Sequence, residues 1–245
     1  MSQPIFQGCD RRRFIRHMLT LSGISLATSA SVFPALVQAL GKVPQKLPAD
    51  QSIFRIKGRV RVNGELATEN SKITQNALIE TNGDSEIIFV VGKDAHILRK
   101  NSELILSADK QSLETGAQLV KGQLMSVFGE RAANEKHTTS TTTATIGIRG
   151  TAVYAESELS RSYVCTCYGK VDLMAVNDPK SVERIETVHH DSPRYVYATG
   201  KLGQLIEPAP MKNHEDEEIM LIEALLGRKT PFSSLNDYSV PSIDY

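Results

Sequence analysis

From Ile53 onward apolar and polar residues alternate with a period of two, and no other feature constrains the fold of this chain as tightly. Ile56, Gly58, Val60 and Val62 fall on one face of an extended segment, and Arg55, Lys57, Arg59 and Arg61 fall on the other. Successive side chains of a strand point to opposite faces, so this pattern predicts a half-buried strand. Asn63-Gly64 follows as a tight turn, because both residues tolerate the positive φ of a two-residue hairpin connection. Further strands are expected over 77–80, 85–91, 96–98 and 103–106. Asn82-Gly83-Asp84, Gly92-Lys93-Asp94 and Lys100-Asn101 separate them as turn-forming punctuation. A strand about every ten residues is the signature of an all-β sandwich, barrel or solenoid.

The pattern resumes over 118–127 around Gly122. The threonine-rich run 138–145 reads as a strand or an extended entry to one, since β-branched residues are stiff and suit extended backbone. Ile146-Gly-Ile-Arg-Gly-Thr151 comes next, then strands over 152–156, 163–175 (interrupted at Gly169) and 194–198. Helical spacing emerges only near 213–226. Asn213 can cap that helix, Glu215 to Glu218 suit the positive end of its dipole, and Ile219, Ile222, Leu225 and Leu226 form an apolar face before Gly227. The expected fold is mainly β, a compact β-sandwich or β-solenoid-like domain of short strands with one C-terminal helix.

The N-terminus has a different character. Arg11-Arg12-Arg13-Phe14-Ile15-Arg16 stands directly before the segment 18–36, whose apolar residues are interrupted by Ser22, Gly23, Ser25, Thr28, Ser29, Ser31 and Pro34. Val37-Gln38-Ala39 supplies small residues suited to cleavage. Arginines followed by Phe14 and Ile15, a weakly apolar run and a cleavage site together read as a twin-arginine export signal rather than a membrane span. Such a signal moves folded proteins to the periplasm, with membrane contact only through the signal if it stays uncut. The expected organisation is a signal over 1–39, a linker over 40–52, a β domain over 53–200 and a helix-bearing extension over 201–245.

Beyond the leader, 24 Lys and Arg stand against 27 Asp and Glu. A weakly acidic domain without a basic stripe has no footprint for a phosphate backbone, which argues against nucleic acid as a partner. Cys9 would leave with the leader, so Cys165 and Cys167 remain as one close pair rather than a disulfide framework. On a strand, residues two apart share a face, and both sulfurs could meet one ligand. Soft thiolates at this spacing suit copper(I) or zinc, with imidazoles from His189, His190 and His214 if the fold brings them near. A strained redox-active disulfide and plain burial of two small apolar side chains are the competing readings. His96 and His137 read as a strand and a loop residue. No G-x-S-x-G elbow, P-loop, H-E-x-x-H or dinucleotide fingerprint occurs, so catalysis is not suggested.

The ordered set of Gly58 and Gly64, Asn76-Ala-Leu-Ile-Glu-Thr-Asn-Gly83, Leu119-Val-Lys-Gly122 and Ile146-Gly147-Ile-Arg149-Gly150-Thr151 resembles the FecR domain over about residues 54–176. The last motif carries most weight. Two glycines three apart allow unusual φ or close backbone approach, and the arginine between them can hold carbonyls or a carboxylate in a fixed fork, a structural role. The resemblance implies a periplasmic recognition or scaffold module of short strands whose partner is an envelope protein or another periplasmic component. Regulators of that family also carry a cytoplasmic helical module, which is not expected here, so only the recognition domain carries over.

Overall fold

The computed structural model describes residues 44–109, 114–132 and 135–234. The leader, with Arg11, Arg12, Phe14 and Ile15, and the tail from 235 lie outside the described residues. In chain order the strands are β1 (Ile53–Lys57), β2 (Val60–Val62), β3 (Glu65–Leu66), β4 (Leu78–Thr81), β5 (Glu86–Val91), β6 (Asp94–Leu98), β7 (Glu103–Asp109), β8 (Glu114–Val127), β9 (Lys136–Ser140), β10 (Ala144–Ser157), β11 (Arg161–Ala175), β12 (Asp178–Thr187), β13 (Arg194–Tyr197) and β14 (Ile206–Pro208). One helix, α1 (Asp216–Leu225), follows, and a single 3-10 turn at Pro231–Ser234 ends the described chain. Among the described residues the protein is mainly β with one helix, as the alternation predicts. Among the described residues no helix is long and apolar enough to cross a membrane.

All fourteen strands join one hydrogen-bonded network, antiparallel except between β8 and β9. Three long strands organise it, and each bends at a glycine with positive φ: Gly122 in β8 (φ 93°), Gly150 in β10 (φ 60°) and Gly169 in β11 (φ 90°). The bends divide each strand between two sets of partners. Before its bend β8 pairs with β7 and β9, and after it with β6 and β10. β11 pairs with β13 before Gly169 and with β12 after it. The sheet thereby folds over itself, and Ala155 of β10 reaches the same apolar cluster as Val60, Ile79 and Leu104 of β2, β4 and β7.

Alternation along β10 and β11 then decides where the chemistry sits. Val153, Ala155 and Val164 point into the fold. Ala152, Tyr154, Tyr163, Cys165 and Cys167 point the other way, into a second core that α1 closes with Ile219, Leu221, Ile222 and Leu225. Both faces of this part of the sheet are therefore buried, which a single half-buried strand pattern would not require.

Three local expectations change. The strand anticipated across 55–62 is two strands broken at Gly58, whose φ of 69° turns the chain and whose α-carbon lies against Ser85, so β1 pairs with β5 and β2 with β4. β12 is a strand that the sequence hides, because its only fully buried apolar residue is Ile185 among charged and exposed neighbours. The cap of α1 is Glu215, in a reciprocal capping box with Glu218, and not Asn213, which has φ 60° and donates from Nδ2 to Glu156 at 2.7 Å.

A buried thiolate and imidazole centre

The β11 register places Cys165 opposite Tyr154 and aims both sulfurs at the face covered by α1. Two segments cross that face. The loop after β12 carries His189 and His190, and it is held in place where the His190 N–H donates to the Cys167 carbonyl at 3.0 Å. His190 adopts φ 49°, a left-handed conformation that turns its ring inward. The segment before α1 carries His214, whose ring stacks on Tyr154 with centroids 4.5 Å apart. Buried carboxylates clamp this second segment to the sheet. Glu156 accepts from Tyr154, Lys212 and Asn213, Glu218 accepts from Arg99, and Glu223 accepts from Tyr168 and Arg228.

The result is a convergence of four donors. Cys165 Sγ, Cys167 Sγ and one nitrogen each of His190 and His214 lie within 4.8 Å of one another, and all four residues are buried. Cys165 Sγ is 3.6 Å from His190 Nδ1, and His190 Nδ1 is 3.0 Å from His214 Nε2. The two sulfurs are not bonded to each other. The outer nitrogens of both rings are committed. His214 Nδ1 lies 2.7 Å from the Lys212 carbonyl, which can only accept, and His190 Nε2 lies 2.8 Å from Asp216 Oδ1. Each ring therefore spends its N–H outward and turns a lone pair inward, and two lone pairs 3.0 Å apart require a proton or a cation between them.

Without a metal ion the charges follow from the same geometry. The Cys167 thiol beside it, together with His190 and His214, draws the Cys165 thiol well below the usual thiol range against the opposing effect of burial. Burial and the neighbouring sulfur hold Cys167 well above the usual thiol range. Burial works against a charged His190, but hydrogen bonds to Asp216 and Cys165 overcome it and raise the ring to about 9. Asp216 is itself lowered, since its two histidine partners outweigh its burial. These directions favour a thiolate on Cys165 paired with a protonated His190 and backed by the Asp216 carboxylate.

Of the residues singled out by sequence, Cys165, Cys167, His190 and His214 come together. His189 does not join the sulfurs; its Nε2 lies 2.9 and 3.0 Å from the Asp216 carboxylate oxygens. Asp216 was legible only as an acid favoured at a helix start, and nothing in its spacing pairs it with a histidine 26 residues earlier. In the glycine motif, Arg149 forks onto Asp172 through Nε and Nη2, both at 3.0 Å, at the surface. Gly150 supplies the positive φ of the β10 bend, and buried Thr151 donates to the Tyr168 carbonyl across it. Gly147 pairs with Asp172, and its φ is not left-handed. That motif shapes the bend and lies outside the thiolate centre. His96 is buried in β6 with Nδ1 2.8 Å from Ser126 Oγ, and His137 opens β9 rather than a loop.

These features define a mainly β domain with a buried Cys2His2 donor set. No protein-family model matches the chain, and no curated protein matches it. The FecR resemblance accordingly rests on the residues that carry it. Two crystal structures of a protein titled a "putative anti-sigma factor" from Parabacteroides distasonis share 16% identity with this chain, at a TM-score of 0.44. The match covers 54% of this chain and 59% of that one, so the chain spans little more than half the length of the structure it matches. A likeness at that level carries no argument about fold or role.

Proposed function

We propose that this protein is a non-catalytic periplasmic β domain that holds one divalent metal ion, zinc, between Cys165, Cys167, His190 and His214. The observation that carries this reading is the inward convergence of two sulfurs and two imidazoles, the imidazoles with their outer hydrogen bonds already made. Zinc bonds of about 2.3 Å to sulfur and about 2.0 Å to nitrogen put tetrahedral donors about 3.5 Å apart for a sulfur–nitrogen pair and about 3.3 Å for two nitrogens. The observed 3.6 and 3.0 Å are close to those edges. Two thiolates and a divalent ion also sum to zero charge, which a dry site favours. Copper(I) would leave a net negative charge there.

Cys165, His190 and Asp216 also stand in the order of an activated-thiol triad. Cys165 has no exposed surface, so a substrate could not reach its sulfur, and burial favours metal retention over catalysis. The metal would tie β11 to the two segments that cross it and so stiffen the surface around them. Recognition of an envelope component is the broader role, supported by the FecR-like motifs and by exposed Leu159 and Leu202. The Ala198 N–H donates to the Ser160 carbonyl, which ties the β10–β11 turn to the start of the loop carrying Leu202. The arginine-led leader supports export in the folded state, with the ion bound beforehand.

Elemental analysis of the purified protein tests the centre. One zinc per chain is expected, lost in the Cys165→Ala/Cys167→Ala variant; a metal-free protein whose melting temperature ignores added zinc would end the proposal. Cell fractionation tests the location, since Arg11→Lys/Arg12→Lys should keep the product in the cytosol.

A further inference from the structure

We infer that the metal ion reaches the buried centre through His189 and Asp216, which form an outer capture site joined to the inner one where Asp216 accepts from the His190 ring. This rests on the reading of the inner centre given above. The four inner residues are all buried, so an ion that enters the folded protein has to pass neighbouring groups. His189, His190 and Asp216 form a second set of converging donors, again within 4.8 Å of one another. Exposure falls along this set, from 34% for the His189 side chain to 7% for Asp216 and 3% for His190. Asp216 Oδ1 touches His189 Nε2 at 3.0 Å and His190 Nε2 at 2.8 Å, and the opposite nitrogen of the same His190 ring faces Cys165. A continuous line of polar groups thus runs from solvent to the sulfurs.

The chemistry of the donors grades in the same direction. Outside, one carboxylate and one half-exposed imidazole suit a hydrated ion and leave coordination positions for water, the character of an open site. Inside, two thiolates and two imidazoles complete a closed tetrahedron of softer ligands, where the ion is held most tightly. Transfer involves exchange of water and carboxylate for thiolate and imidazole, with protons released from the centre and no change of oxidation state. His189 packs against Phe232, with ring centroids 4.7 Å apart, and this places its nitrogen on the Asp216 side.

The test uses cobalt(II) as the probe, because thiolate-to-cobalt charge transfer reports arrival at the sulfurs. Reduced, metal-free full-length protein and its His189→Ala variant are mixed with cobalt(II), and the loaded proteins are then challenged with a chelator. A route residue changes the barrier and not the end states, so loading and unloading should slow together in the variant, by about tenfold, with affinity and final absorbance unchanged. Equal rates in the two proteins overturn the route. So does a variant that loads at the normal rate but holds the ion less tightly, because this marks a residue that only positions His190. No charge-transfer band in the wild type at any cobalt concentration would instead remove the inner centre itself.

Discussion

Burial at His96 and His137 sets a pH limit on the fold. Desolvation lowers both rings to about 4 from an ordinary value of 6.5, and His96 lies between Phe89 and Phe128. The folded protein therefore keeps them neutral while the unfolded chain takes up protons. Stability from these groups is intact above pH 6.5 and is lost as the pH falls toward 4, by about 2 kcal/mol per ring at pH 5. Glu86 acts in the opposite direction, since burial raises it to about 7 and acidification relieves the cost of its charge. A difference measurement isolates the histidines: between pH 7 and pH 5, denaturant titration should show His96→Gln losing less stability than the wild type. A second residue-scale prediction concerns Gly169. A Cβ there would lie 2.7 Å from the Gly150 carbonyl oxygen at a φ of 90°, so Gly169→Ala should cost about 2 kcal/mol or more. Circular-dichroism melting would show a lower midpoint; an unchanged one would mean that the bend does not depend on this glycine.

Among the elements, α1 matters because it covers a face the sheet cannot leave open. Its buried acids, Asp216, Glu218 and Glu223, are bound rather than merely placed at a dipole. Arg99 donates to Glu218 and, through Nη1, to the Asn213 carbonyl next to His214. Arg99→Ala would strand Glu218, which is almost wholly buried, and should cost about 3 kcal/mol in urea. The same change loosens His214, so zinc affinity should fall with stability; a variant that unfolds earlier yet binds zinc as before would separate the clamp from the centre. The alternation of residues made β2, β4 to β8, β10, β11 and β13 legible, because each has at least one buried side in a regular period. β12 was not, since it lies along the bent half of β11 and half of its side chains are charged. The helix was legible in its apolar spacing, but its cap was not, because Asn213 and Glu215 both suit a helix start and only the contact with Glu156 decides between them.

For the whole molecule, a metal bound only to the native state adds stability that grows with the logarithm of the free-ion concentration relative to its dissociation constant. With free zinc about a thousand times above its dissociation constant the gain is about 4 kcal/mol. A chelator should therefore lower the melting temperature of the wild type and leave Cys165→Ala/Cys167→Ala unmoved. The sequence by itself determined a mainly β fold and a late helix, because periods of two and of three to four residues are local properties written along each segment. It also placed Cys165 and Cys167 on one face, since that too follows from the pleat. Only the tertiary structure decided that this face meets His190 and His214, that His189 stands outside with Asp216, and that the three long strands bend at Gly122, Gly150 and Gly169. Those contacts join residues tens of positions apart, and no local periodicity encodes which loop a folded sheet brings over which strand.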